Sequence, residues 1–176
     1  MARRTGGTVI STGAAAAKAA RLRRAGKQVV FTSGCFDLLQ AGHVALLDRA
    51  RRMGDYLVVG VNSNRTVRIL KGPGRPVVPL AERMELLAGL RMVDCVVSFD
   101  APTPARLIAR LRPDVLVKGG NYRAGDIPGY DTVTASGGKV VTVSLQRGLS
   151  TSRLIGRAVA WSNGGGPRRG RTKAKK

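Results

Sequence analysis

Five apolar runs divide this chain at regular intervals, and they decide what it can fold into. They are Val29-Val30-Phe31, Tyr56 to Val61, Val93 to Phe99, Val115-Leu116-Val117 and Val140 to Val143. The second is continuously apolar rather than alternating, as a strand covered on both faces must be. Between the runs lie segments of helical spacing. One runs from about His43 to Met53 with Gly54 as its stop, then come Pro79 to Leu90, Pro104 to Leu111, a short piece at 132–136, and Arg153 to Trp161. Ala14 to Ala25 adds a leading helix stopped by Gly26. Leu22 is almost its only large apolar residue, so weak or edge-on packing is expected. Strand–helix alternation of this kind implies an α/β fold with a single parallel sheet and helices on both faces. Ligands then bind outside the strand C-termini, at the point where the strand order reverses.

Polar or glycine-bearing segments follow four of the strands: Ser33 to His43, Asn62 to Asn64, Lys118 to Tyr122 and Gln146 to Ser152. They should converge on one crevice. The first is the most specific. A strand breaks at Ser33-Gly34, and a helix begins near His43, the only histidine in the chain. The free N–H groups and positive dipole end of such a helix favour an anion. Small residues at Ala41-Gly42 allow close backbone approach. Lys71-Gly72-Pro73-Gly74-Arg75-Pro76 reads as a mobile loop carrying two cations near a strand end. Ser150-Thr151-Ser152 caps the last helix. Neither G-x-G-x-x-G nor GxxxxGK[ST] occurs, so neither a dinucleotide-dependent oxidoreductase nor a P-loop kinase is supported.

The 176 residues suit one domain, expected over 14–163. Residues 1–13, rich in Gly and Thr, are expected to be loose, and 164–176 to be a basic disordered tail. The formal charge is +21, but 13 of the 31 Lys/Arg lie in residues 1–27 and 164–176, which contain no acid. The middle holds 18 basic and 10 acidic residues. Such ends can meet polyanions through counterion release; solvated ends are the plainer reading, and specific nucleic-acid binding is not expected. Cys35 and Cys95 suit free thiols in a reducing cytoplasm. The stretch after Met1-Ala2-Arg3-Arg4 is broken by Gly6, Gly7 and Gly13, so no signal peptide is expected. No run is long enough to span a bilayer, so no membrane partner is expected. No His/Cys cluster marks a metal site.

Several spaced motifs identify a relative. Phe31-Thr32-Ser33-Gly34-Cys35-Phe36-Asp37, Ala41-Gly42-His43 and Val61-Asn62-Ser63 come first. Leu70-Lys71-Gly72 with Arg75-Pro76-Val77, Glu82-Arg83-Met84, Val117-Lys118-Gly119-Gly120 and Ser150-Thr151-Ser152 follow in order. Over about residues 15 to 158 the chain resembles the cytidylyltransferase-like nucleotidyltransferases, whose sheet is Rossmann-like. Within them it is most similar to the heptose-1-phosphate adenylyltransferase group, often fused to a sugar kinase in bacteria. Three positions depart from the pattern. Gln40 replaces the first His of H-x-G-H, Asn121 an Asp after Lys-Gly-Gly, and Asn64 an Asp after Asn-Ser. Gln can donate a hydrogen bond through its amide but cannot carry charge.

The resemblance implies transfer of AMP from ATP to a sugar 1-phosphate, D-glycero-β-D-manno-heptose 1-phosphate, giving ADP-sugar and pyrophosphate. It implies His43, Lys71 and Gln40 as catalytic residues. Nucleotide contacts fall to Ser33, Gly34, Phe36, Asp37, Gly42, Lys118, Gly119, Asn121, Ser150, Thr151 and Ser152, and substrate contacts to Arg75 and Arg83. Mg²⁺ would be held largely by phosphates and water. A homodimer and a separate sugar kinase are implied partners. Asp37 can equally cap its helix, and Arg83 can equally pair with Glu82 or Asp94. The runner-up activity is a cytidylyltransferase acting on glycerol phosphate or another alcohol phosphate. A reading of another class, a nucleotide-binding or assembly protein without turnover, rests on Gln40.

Overall fold

The computed structural model describes residues 6–144 and 151–165. Six parallel strands form one sheet: β1 (Thr8–Val9), β2 (Val29–Gly34), β3 (Tyr56–Asn62), β4 (Cys95–Phe99), β5 (Val115–Gly119) and β6 (Lys139–Val143). Their order is β1-β4-β3-β2-β5-β6. From β2 the chain moves outward through β3 to β4, then returns to lay β5 on the other side of β2. The switch point therefore lies between β2 and β5, where Phe31 pairs with both Val58 and Leu116.

The helices are α1 (Thr12–Arg24), α2 (Ala41–Arg51), α3 (Asn64–Lys71), α4 (Leu80–Ala88), α5 (Ala105–Leu111), α6 (Tyr130–Ala135) and α7 (Thr151–Ala160). Side chains alternate across the sheet. Val30, Leu57, Val59 and Val117 face Leu47 of α2 and Leu87 of α4 on one side. Val29, Phe31, Val58 and Leu116 face Ala19 of α1 and Ile108 of α5 on the other. Burying each such large side chain contributes about 1.5–3 kcal/mol.

Three expectations change. Residues 6–13 are not loose: β1 joins the sheet edge beside β4, with Gly7 N donating to the Ala88 carbonyl (2.6 Å) and Ile10 N to that of Val96 (3.1 Å). Ser11 then caps α1. α1 packs closely rather than weakly, because Ala15 and Ala19 are 1 % and 0 % exposed and bring its backbone onto the core. And residues between the polar Asn62 to Asn64 segment and the loop expected from Lys71 form a helix, Asn64–Lys71. Ser63 caps it by accepting from Thr66 N (3.1 Å), and Asp100 from the next strand end holds Ser63, Arg65 and Thr66. Lys71 is therefore the last residue of a helix and not part of a loop. Gly72, at φ 88°, takes the left-handed backbone that ends it. The 164–176 tail expectation falls almost wholly on residues outside those described.

At the N-terminal edge, Asp55, Asp94 and Asp114 accept the first strand N–H groups, from Gln28 (2.9 Å), Leu57 (2.8 Å) and Val29 (2.7 Å). The cationic groups discussed next lie at the opposite, C-terminal edge.

Candidate active site

A cavity of about 510 Å³ opens at the C-terminal ends of β2 and β5. The turn after β2 forms its floor. Phe36 there adopts φ 47°, unusual for a side chain of that size. Its ring meets the His43 ring edge-on, with centroids 5.4 Å apart. Asp37 explains how this turn is held. Its carboxylate is 2 % exposed, pairs with the Arg75 guanidinium, and accepts the N–H groups of Val77 (2.7 Å) and Val78 (2.9 Å). The helix-cap reading is not realised, since Gln40 is the N-cap of α2; the carboxylate holds the 75–78 segment instead. The 75–78 segment is thus pinned to the β2 turn, while Gly72-Pro73-Gly74 links it to Lys71.

α2 starts at Ala41, two residues before the sequence expectation, with Gln40 as its extended N-cap. The Gln40 side chain does not cap the helix; its amide donates to Thr151 Oγ1 of α7 (3.4 Å). That weak contact brings the starts of α2 and α7 to one wall of the cavity. His43 lines the same wall. Its Nδ1 is buried and has no hydrogen-bond partner of good geometry among the described residues. Burial pushes the His43 pKa below its ordinary value, partly offset by the Leu38 backbone. Burial thus favours the uncharged ring.

Lys71 and Lys118 face the cavity from opposite elements, with Arg75 beside them. Burial pushes the Lys118 pKa down; the Cys35 thiol opposes this and the Lys71 charge adds to it. Its ammonium stands 5.5 Å from the centre of the Tyr122 ring. Burial likewise raises the Cys35 thiol, against the pull of Lys71, Arg83 and Arg75. Two lysines that repel across a cleft are relieved by an anion placed between them.

Most predicted residues meet here: Ser33, Gly34, Phe36, Asp37, Gln40, His43, Lys71, Arg75, Lys118, Gly119 and Thr151 line the one cavity. Gly42 is buried in the first turn of α2, and Asn121 follows β5; neither is among the lining residues. Ser150 lies outside the described residues, as does the side chain of Ser152. Arg83 is corrected from substrate contact to a buried brace. It is 0 % exposed and donates to the carbonyls of Val78 (2.9 Å), Cys35 (2.5 Å) and Asn62 (3.0 Å) and to Asn64 Oδ1 (2.9 Å). Neither Glu82 nor Asp94 appears among these partners. Sequence reading missed the apolar wall of Phe99, Pro102 and Pro104. Its only signal was topological: β4 is parallel, so its C-terminal end had to reach the same sheet edge.

A cleft at the switch point, lined by cations and helix starts, matches what the comparisons return. The family model described as cytidylyltransferase-like aligns with residues 31–153, well over half the chain. The chain belongs to the cytidylyltransferase-like family. Among curated relatives, the bifunctional protein HldE of Aeromonas salmonicida is 56 % identical over 140 residues, 80 % of this chain and 29 % of that protein. HldE of Chromohalobacter salexigens is 55 % identical over the same shares. The chain spans less than a third of the length of these relatives. A crystal structure of the lipopolysaccharide core biosynthesis protein from Thermoplasma volcanium shares the fold. Its TM-score is 0.57 at 23 % identity, covering 68 % of this chain and 97 % of that one.

Proposed function

We propose that this chain is a nucleotidyltransferase that transfers AMP from ATP to a sugar 1-phosphate, D-glycero-β-D-manno-heptose 1-phosphate, releasing pyrophosphate. The observation that carries the reading is the convergence of His43, Lys71, Lys118 and the α7 start on one cleft in a family of nucleotidyl-transferring type. High identity to HldE proteins supports the choice of ATP and heptose phosphate over the alcohol-phosphate alternative. An oxygen of the acceptor phosphate attacks the α-phosphorus. The bond from that phosphorus to the α–β bridging oxygen breaks, and pyrophosphate leaves with the electron pair. The attacking oxygen is already anionic, so alignment and charge stabilisation carry the rate, not a strong base.

His43, neutral and desolvated, would donate to charge developing at the α-phosphate. Lys71 and Lys118 would flank the phosphates as point charges. Gln40 and Thr151, with the first turn of α7, would hold the leaving pyrophosphate. Ser33, Gly34 and Phe36 would present backbone to the nucleotide, and Arg75 would reach the acceptor only from its pairing with Asp37. Among the described residues no three His, Cys, Asp or Glu groups cluster to hold a metal, and Asp37 is already engaged. The described residues thus offer no protein-held Mg²⁺ site, and the ion would be held largely by the substrate phosphates and water. The phosphorylated acceptor would be the product of a sugar-kinase reaction.

Pyrophosphate release, followed with ATP and CTP against heptose 1-phosphate and glycerol phosphate, tests the reading. Turnover should require ATP with the heptose phosphate. Preference for CTP with the alcohol phosphate would overturn the assignment, and binding of nucleotide without turnover would favour the binding-protein alternative.

A further inference from the structure

Tyr122 is a large aromatic side chain that the core does not hold. It is 51 % exposed, yet it lines the cleft beside Lys118. The residues before it build its position. Lys118 and Gly119 end β5, in register with Thr142 and Val143 of β6. Gly120 then donates its N–H to the Val143 carbonyl (2.9 Å) and turns the chain at φ 118°, left-handed backbone that favours glycine. The ring lies back over that turn. A Cβ on Gly120 would stand 2.8 Å from Tyr122 Cε2 and 3.2 Å from Cδ2, so the missing side chain makes the room the ring occupies. Folded back in this way, the ring has its centre 5.5 Å from the Lys118 ammonium.

The kind of partner matters to this lysine. Among the described residues Lys118 has no carboxylate partner, and the titratable groups acting on it are the Cys35 thiol and Lys71. Arg75, in the same cleft, is by contrast taken up by Asp37. A carboxylate would neutralise the ammonium and compete with an incoming phosphate. An aromatic face attracts the cation through its quadrupole and leaves the net charge intact. An ammonium has several N–H donors, so it can keep the ring on one side while donating to a phosphate on the other. A flexible side chain held in place before its ligand arrives also loses less freedom on binding it.

We propose that Tyr122 is a positioning residue for the transfer reaction: its ring holds the Lys118 ammonium, still charged, aimed at the phosphates of the bound nucleotide. This rests on the cleft being the triphosphate site proposed above. Tyr122 acts through Lys118 and touches no reacting atom. The ring face carries the role, not the phenolic hydroxyl. That face is occupied by the cation and is not a platform for the base.

The full chain is titrated by calorimetry with ATP and Mg²⁺ and, separately, with inorganic tripolyphosphate. Tyr122→Leu should weaken both about threefold to tenfold, and Tyr122→Phe should bind both as the unsubstituted chain does. Lys118→Ala should cost about tenfold or more. Adding Tyr122→Leu to Lys118→Ala should cost nothing further, since the ring then has no cation to hold. In steady-state assays the Tyr122→Leu loss should appear in KM for ATP more than in kcat. Weaker ATP binding with tripolyphosphate unaffected would overturn the proposal and make the ring a platform for the base. A Tyr122→Phe as damaging as Tyr122→Leu would assign the effect to the hydroxyl and overturn it too. So would losses that multiply in the double variant, or a silent Tyr122→Leu in a chain that binds ATP. If the unsubstituted chain binds neither ligand, the triphosphate site itself falls, and this proposal with it.

Discussion

His43 and Gln40 carry the sharpest expectations at the scale of single residues. A neutral donor that strengthens as charge develops acts on the transition state more than on bound nucleotide. His43→Ala should therefore lower kcat about 10²–10³-fold, with a much smaller change in ATP affinity by calorimetry. A near-silent His43→Ala in an active, folded protein would remove the histidine from the mechanism. Gln40→Ala should cost less, because its amide makes only a weak contact with Thr151, and Gln40→His should retain or raise activity. The only imidazole can also be titrated by NMR without overlap. Burial lowers its pKa in the folded state, so it should titrate below the ordinary value of 6.5. The unfolded chain then binds this proton at higher pH than the folded one. The stability tied to His43 is fully present above 6.5 and is lost as pH falls towards the folded value.

Arg83 shows the same scale acting on structure. Its guanidinium ties the β2 turn, the end of β3, the start of α3 and the 78 position through four acceptors. Arg83→Met would leave those acceptors buried and unmatched, a loss of about 3 kcal/mol. A fall in the urea midpoint should show it. Arg83→Lys should not rescue, since one ammonium cannot span a fork of this breadth.

At the level of elements, α3 decides where Lys71 sits. Its N-terminus is held by Asp100, a carboxylate contributed from beyond β4. Hydrogen bonds from Ser63, then Arg65 and Thr66, hold the Asp100 carboxyl down at about 2. Its folded-state pKa lies below the ordinary carboxylate value of 3.8, so its contribution is present above that pH and fades as pH falls towards about 2. Asp100→Asn should flatten the acid limb of a thermal-melting curve in that window. The variant should also loosen the end of α3, raising KM for nucleotide if Lys71 meets the phosphates as proposed. An unchanged acid limb would mean that the α3 cap holds without the carboxylate.

At the scale of the whole molecule, the N-terminal segment from Gly6 is part of the sheet. Deleting residues 1–10 removes β1 and the hydrogen bonds by which Gly7, Thr8 and Ile10 join Ala88, Asp94 and Val96. At about 1 kcal/mol each, these should lower the melting midpoint by roughly 5–10 °C. Deleting residues 166–176 should leave kcat unchanged, because every cleft residue named above lies before them in the chain. A collapse of kcat in a folded protein would instead place that segment in the site.

The amino-acid sequence by itself determined the element order and the β2–turn–α2 unit. Both are written in neighbouring residues, through apolar run length, helical spacing and the Ser33-Gly34 break, and local sterics need nothing distant to read them. It also determined that Lys118, Thr151 and His43 belong near one another, because in a parallel sheet every strand delivers its C-terminal end to the same edge. Other features had no local signature. β1 is two residues long and becomes a strand only because β4 offers an unpaired edge. α3 is eight residues long with Val67 its one buried apolar side chain, and its start depends on Asp100, some 35 residues away. Asp37 and Arg83 look in sequence like ligand contacts; only packing shows their polar atoms taken up by backbone. Tertiary structure decided these cases because a polar side chain's role follows from which partner reaches it first once water is excluded, and that is set by the assembled fold.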